Sequence, residues 1–292
     1  MKFYNADKYR IGVIGGSGLY ELPGVEVIDE LTLDTSFGLP SSSVLLCKIH
    51  DREVCFLPRH GKKHTIAPHE INHRSNILTL RRLGVRWLIC VTAVGSLREE
   101  IHPRDLVVPN QFFDRTSRPS QNTFFGEGIV AHVSLAQPYS ENLRHILIQS
   151  AKEEGIRCHE AGTYVQMDGP AFSTRAESEF YRKMGFDIVG MTHAPEAKLA
   201  REAEIACAAL AFATDYDCWK LEEEPVTTEA VIEHLQANIA NAKRILFRAI
   251  LKIPHEPNWP EHFALDKAII TPREKWTLSR IRILSPLLDR FG

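Results

Sequence analysis

The 292-residue chain has no apolar run longer than the nine residues IACAALAFA, Ile205 to Ala213. A membrane-spanning helix needs about 20 consecutive apolar residues, so none is predicted. Charge of one sign is not concentrated anywhere. Lys and Arg total 35 against 37 Asp and Glu, a net charge of −2. Without a basic stripe, neither nucleic acid nor an anionic membrane is expected as a partner. The six cysteines, Cys47, Cys55, Cys90, Cys158, Cys207 and Cys218, form no CxxC pair. Scattered in a chain of this length, they read as reduced, mostly buried thiols in a cytoplasm. The opening MKFYNADKYRIGVIGG lacks the apolar core of a secretory signal. No repeat, low-complexity tract or linker interrupts what remains. With 44% hydrophobic and 25% charged residues, the composition is that of a globular protein, and the length suits one large α/β domain.

Strand and helix signals alternate along the chain. RIGVIG leads into a Gly-rich turn, and VLLCKI and REVCFL flank His50-Asp51 as a hairpin. A helix is expected from about His69, with Ile77, Leu80 and Leu83 on one face and Gly84 as its stop. RWLICV reads as a strand ending at Val91. SENLRHILIQSAKEEG reads as an amphipathic helix with Ser140 at its N-cap and Gly155 past its end. GTYVQM and DIVGM are strands, Thr174 to Glu177 is a capping box, and PEAKLAREAEI is a helix. CAALAFATDYD is a further strand. A long helix follows from about Thr228 to Ile250, and a last one is expected around Trp276–Leu288. This alternation predicts a mixed sheet covered by helices on both faces. Ligands of such sheets bind at the carboxyl ends of the strands.

Those ends carry oxyanion chemistry. GGSG, Gly15 to Gly18, lacks the Lys of a P-loop and the last glycine of a dinucleotide fingerprint. It reads either as a plain turn or as exposed N–H groups plus the Ser17 hydroxyl around an anion. Arg59 offers a forked donor set that matches phosphate, and His60 a further donor. Lys62 and Lys63 read as a solvated basic loop. Thr92, Ala93 and Thr192 add hydroxyl and backbone donors. In TDYD, residues two apart in a strand face the same side, so Asp215 and Asp217 face one side if the strand continues. Two close carboxylates do not ionise together easily, which raises one pKa and makes a general acid.

Together, IGVIGGSGLY, LPRHGKKHTIAPHEINHRSNI, TAVGSLREEIHPRDLVVPNQFFDRTS, GTYVQMDGPAFSTRAES, GMTHAPEAKLAREAEI and ATDYDCWK resemble the trimeric purine nucleoside phosphorylase family, in its methylthioadenosine-cleaving branch. The resemblance covers about Arg10 to Leu251. It implies a nucleoside phosphorylase-like α/β domain over residues 1–254, with a divergent helical extension, 255–292, packed on it. It also implies phosphorolysis of S-methyl-5′-thioadenosine to adenine and 5-methylthioribose 1-phosphate, with phosphate as co-substrate and no cofactor or metal. Phosphate would be held by Ser17, Arg59, His60, Thr92, Ala93 and Thr192, the ribose by Met191 and the purine by Phe172. Asp215 would protonate the base at N7, and Asp217 would accept from its 6-amino group. Ser173 and Asp215 stand where relatives that use 6-oxopurines carry Glu and Asn, so adenine is the expected base. Thr228 would read the 5′ substituent, and His132 and Leu287 would reach a neighbouring subunit of a homotrimer or a dimer of trimers. His193-Ala194 beside Met191 and Asp168, where Glu is expected, are departures from the pattern. A broader purine nucleoside phosphorylase, a hydrolytic nucleosidase and a non-catalytic nucleoside-binding protein are the alternatives.

Overall fold

A computed structural model of the protein describes residues 8–16, 19, 25–117, 121–220 and 228–291, without the side chains of 228–236. β1 (Arg10–Gly15) is buried at every residue, as a strand covered on both faces should be. After β2 (Glu26–Leu31), β3 (Val44–Ile49) and β4 (Arg52–Pro58) form the expected antiparallel hairpin. His50, at its turn, takes a φ of 53°. The helix expected from His69 starts later: Pro68–Glu70 is a single 3-10 turn, and α1 (His73–Arg82) follows, capped by Asn72. Gly84 stops it at a φ of 80°, where an added Cβ would lie 2.3 Å from the Lys8 carbonyl oxygen.

β5 (Val85–Ser96) runs past Val91, where the sequence predicts its end, so Thr92 and Ala93 lie inside the strand. β6 (Leu106–Val107) and β7 (Gln111–Asp114) are short. α2 (Glu141–Glu153) starts after Ser140 as expected, but the Ser140 hydroxyl donates to Glu261 instead of capping the helix. β8 (Cys158–His159) and β9 (Thr163–Gln166) lead to α3 (Arg175–Lys183). Its capping box is made as read: the Glu177 amide donates to Thr174 Oγ1, and the Thr174 amide donates back to the Glu177 carboxylate. β10 (Ile188–Gly190), α4 (His193–Glu202), β11 (Ala206–Asp215) and α5 (Thr228–Lys252) complete the alternation. The last expected helix is shorter than predicted, α6 (Leu278–Leu284).

The sheet is mixed, with main order β2-β3-β4-β1-β5-β10-β9-β7. β5 is its hub, parallel to β1 and β11 and antiparallel to β10. Its alternating residues feed two cores. Trp87 and Ile89 join Phe56, Phe212, Leu147 of α2 and Leu246 of α5. Leu88 and Cys90 join Leu57, Ile77 of α1 and Leu199 of α4 on the other face. This is the period-2 division of a strand between two apolar layers.

From Leu265 on, the tail closes over the second face, while Trp259 packs on the first. Arg280 donates to the Phe124 carbonyl at 2.8 Å, and Arg290 pairs with the buried carboxylate of Glu204. Leu287, expected to reach a neighbouring subunit, is buried instead with Leu284 and Leu288 in this core. Tail apolar residues satisfy their own domain first. Among the described residues no helix is long and apolar enough to cross a membrane.

Candidate active site

A cavity of about 630 Å³ opens where β1, β4, β10 and β11 end and β5 passes through. Ten residues singled out from the sequence line it: Arg59, His60, Thr92, Ala93, Phe172, Ser173, Met191, Thr192, Asp215 and Asp217. Ser17 lies outside the described residues, although its neighbours Gly16 and Leu19 line the cavity. Thr228 opens α5, and its side chain also lies outside the described set. His132 does not line this cavity; its amide donates to the Ala268 carbonyl in the tail. Lys62 is the solvated residue expected, paired with exposed Glu30.

Arg59 follows β4, and its amide donates to the Gly15 carbonyl, which ties the ends of β4 and β1 together. Its side chain is 3% exposed. Nε and Nη2 donate to the two carboxylate oxygens of Glu196 at 2.6 and 2.9 Å, and Nη1 donates to the Val91 carbonyl at 2.9 Å. Burial opposes the guanidinium charge, and Glu196 outweighs it. Glu196 in turn is held far below the usual carboxylate range: burial pushes it up, but Arg59 and His193 prevail. Arg59 is therefore not a lone cation, as the sequence implies, but half of a buried ion pair. A guanidinium has five N–H donors, so two remain after these three bonds.

His60 differs in polarity from expectation. Nδ1 lies 2.8 Å from the Ile66 carbonyl, which can only accept, so Nδ1 carries a proton. Burial and Arg59 lower the imidazole to about 4. The ring is neutral at neutral pH, and Nε2 is left as an acceptor rather than the donor foreseen. Thr192 takes the N-cap position of α4 without using its hydroxyl as a cap, and its amide donates to the Tyr164 hydroxyl. That leaves the Thr192 hydroxyl for the cavity.

The carboxylates sit together by a different route from the predicted one. β11 ends at Asp215, and Asp217 takes a left-handed φ of 50°. The Asp217 amide donates to Asp215 Oδ1 at 2.7 Å, and the Thr214 hydroxyl donates to Asp215 Oδ2 at 2.6 Å. Asp217 Oδ2 is buried without a hydrogen-bond partner among the described residues. Burial raises the Asp217 carboxyl. The raised group expected from a carboxylate pair is present, but desolvation is the leading cause rather than repulsion by Asp215. Gly95 of β5 makes room for both: an added Cβ would lie 3.1 Å from Asp215 Oδ1 and 3.3 Å from Asp217 Cβ.

Sequence reasoning missed Glu196, Gly95 and the depth of His193. The available signal for the first was spacing: residues three apart on a helix share a face, which sets Glu196 beside His193 one turn behind Thr192. Cys90, His193 and Glu196 place ligand atoms within 4.8 Å of one another. Glu196 is already committed to Arg59 through both oxygens. A cation at that distance opposes a metal ion, so the group reads as an electrostatic cluster.

A model of the phosphorylase superfamily matches residues 10–251. An S-methyl-5′-thioadenosine phosphorylase of Geobacter sulfurreducens is 48% identical over 263 residues, which span 90% of this chain and 92% of the relative. A methylthioadenosine phosphorylase structure from an antarctic soil metagenomic library superposes with a TM-score of 0.91 at 43% identity, covering 97% of this chain and 99% of that one. A methylthioadenosine phosphorylase of Schistosoma mansoni in complex with adenine gives a TM-score of 0.81 at 38% identity, covering 85% and 93%.

Proposed function

The chain belongs to the phosphorylase superfamily, and we propose that phosphate cleaves S-methyl-5′-thioadenosine in its cavity. The reaction is a phosphorolysis that yields adenine and 5-methylthioribose 1-phosphate. A phosphate oxygen bonds to the anomeric carbon as the bond to purine N9 breaks, and the base leaves with the electron pair. Positive charge gathers on the sugar and negative charge on the purine. Fixed donors and acids aimed at those charges lower the barrier, and no nucleophilic side chain is required.

In this reading Arg59, Thr92, Ala93 and Thr192 donate to phosphate together with Ser17. His60 Nε2 accepts the P–OH of hydrogen phosphate. Met191 lies against the ribose and Phe172 against the purine. Asp215 and Asp217 form the base end and share its proton. Asp217, raised by burial, stores the proton that the sequence assigned to Asp215. Asp215, whose oxygens already accept from Thr214 and the Asp217 amide, is the acceptor for the 6-amino group. Two carboxyl groups and Ser173 favour adenine over a 6-oxo base. Thr228 reads the 5′ end. The reaction needs no cofactor. His132 serves a neighbouring subunit in a homotrimer or a dimer of trimers, residues 255–292 form an extension of the 1–254 domain, and the setting is cytoplasmic.

The observation that carries this reading is a buried, ion-paired Arg and a carboxyl raised by burial facing one cavity. Methylthioadenosine incubated with and without phosphate tests it. Adenine should appear only with phosphate, in equal amount to the sugar phosphate. Adenine release indifferent to phosphate would mean hydrolysis and overturn the proposal.

A further inference from the structure

His193 begins α4 directly behind Thr192 and is fully buried. Its ring lies parallel to Tyr139, centroids 5.4 Å apart, and edge-on to Tyr164 at 5.8 Å. Nδ1 is 3.4 Å from Glu196 Oε2, the oxygen that also accepts from Arg59 Nη2. Nε2 is buried without a hydrogen-bond partner among the described residues. The phosphorolysis described above gives this histidine no task, and packing alone does not call for a ring with two nitrogens there.

The groups around it narrow what it does. From β5 comes the Cys90 thiol, 3.9 Å from Cys207 of β11. Tyr139 precedes α2, Tyr164 comes from β9, and Glu196 shares α4. Arg59 follows β4, and His73 of α1 acts on Glu196 from further away. Burial pushes Cys90, Tyr139 and Tyr164 well up, so all three stay uncharged near neutral pH. The charge of the cluster is then set by Arg59, Glu196 and His193. With neutral His193 the cluster sums to zero, and with an imidazolium it keeps one positive charge.

We propose that His193 is a positioning residue for the oxyanion site: as an imidazolium it shares Glu196 with Arg59, so the cluster behind the cavity wall stays net positive. This rests on the phosphate reading above. Glu196 alone would cancel Arg59 and leave a phosphate dianion to neutral donors. A second cation on Oε2 draws off part of that carboxylate and leaves more of the guanidinium field for the ligand. Burial opposes the charge on His193, while the Glu196 carboxylate, held ionised by Arg59 and 3.4 Å from Nδ1, favours it, and the imidazole is raised above its ordinary range. The sign follows: the cation is present below the raised value and is lost above it, and phosphate affinity falls with it.

The test is the KM for phosphate, expressed on the concentration of its dianion, at saturating methylthioadenosine and from about pH 8 to 10, a range in which the dianion predominates. The wild type should weaken about 10-fold across the range, the effect of one partly screened charge several ångströms from the ligand. His193→Asn keeps a donor towards Glu196 but no charge. It should start about 10-fold weaker and stay flat, with the KM for the nucleoside changed less than about 2-fold. A wild-type profile that is flat, or a variant that matches the wild type, overturns the proposal. Should His193→Asn fail to fold, nitrogen-15 NMR of the wild type decides: an imidazole that is neutral at about pH 7 is not the cation required. Adenine release without phosphate would instead sink the phosphate reading, which separates the two failures.

Discussion

Substituting Glu196 by Gln removes charge from the partner of Arg59 while nearly keeping its shape. The two side chains are 3% and 0% exposed, so the guanidinium left behind has little water to turn to. Breaking a buried pair from one side costs about 3–5 kcal/mol. For a domain of this size each kcal/mol shifts the melting temperature by about 2–4 °C, so a fall of about 6–20 °C is expected without phosphate. Phosphate should then act as the missing anion. It should raise the melting temperature of Glu196→Gln by more than it raises that of the wild type, because only the variant leaves Arg59 without its carboxylate. The pH dependence follows from the depressed carboxyl of Glu196. Its contribution is complete above the unfolded carboxylate range and is lost only as pH falls through the much lower folded value. The part of the deficit that comes from Glu196 itself should therefore be constant from about pH 6 upward, while the part that comes through His193 fades as pH rises through its raised imidazole. Calorimetric scans at increasing phosphate measure all of this. Equal phosphate increments in variant and wild type would refute the reasoning, since Arg59 would then not face the anion.

The paired acids should separate by substitution. Asp217→Asn should slow adenine release about 10²–10⁴-fold and lose the fall in kcat that the wild type shows as pH rises through the raised Asp217 carboxyl. Asp215→Asn offers an N–H where the wild type offers a carboxylate, so methylthioinosine should gain relative to methylthioadenosine in kcat/KM; a greater rate loss here than in Asp217→Asn would return the proton to Asp215. Thr228→Val should leave methylthioadenosine turnover near wild type and depress adenosine turnover about 10-fold, as expected if a hydroxyl reads the 5′-OH. An unchanged ratio of the two kcat/KM values would remove Thr228 from the 5′ pocket.

Local signals were legible in the sequence where local physics decides. The Thr174 capping box involves residues three apart and is made as read. The β3–β4 hairpin closes across two residues, and its register follows from that closure. The Arg59–Glu196 pair joins residues 137 apart, and no pattern around either one announces the other. Polarity was hidden for a similar reason. That His60 is an acceptor depends on the Ile66 carbonyl, set by a loop conformation rather than by composition. The extent of β5 was misread because Ala93 and Gly95 are weak strand formers. Pairing with β10 and β11 on either side overrides that preference.

That extra length of β5 explains how one cavity handles both ends of a nucleoside. Thr92 and Gly95 lie three residues apart on a strand that rises about 3.3 Å per residue, which sets the oxyanion end and the carboxylate end about 10 Å apart. β11 follows β5 in parallel, with Ala211 opposite Thr92 and Ala213 opposite Val94. The register then shifts, so that Asp215 rather than Thr214 faces Gly95. A shift of this kind re-aims a side chain at the end of a strand. Without it, period-2 alternation would send Asp215 to the other face, and the Thr214 hydroxyl would have no carboxylate to hold. The left-handed turn at Asp217 then folds the second carboxyl back beside the first, into space that Gly95 leaves open. TDYD therefore places two acids together not by strand alternation but by a register shift, a reversed backbone and a missing side chain on the neighbouring strand.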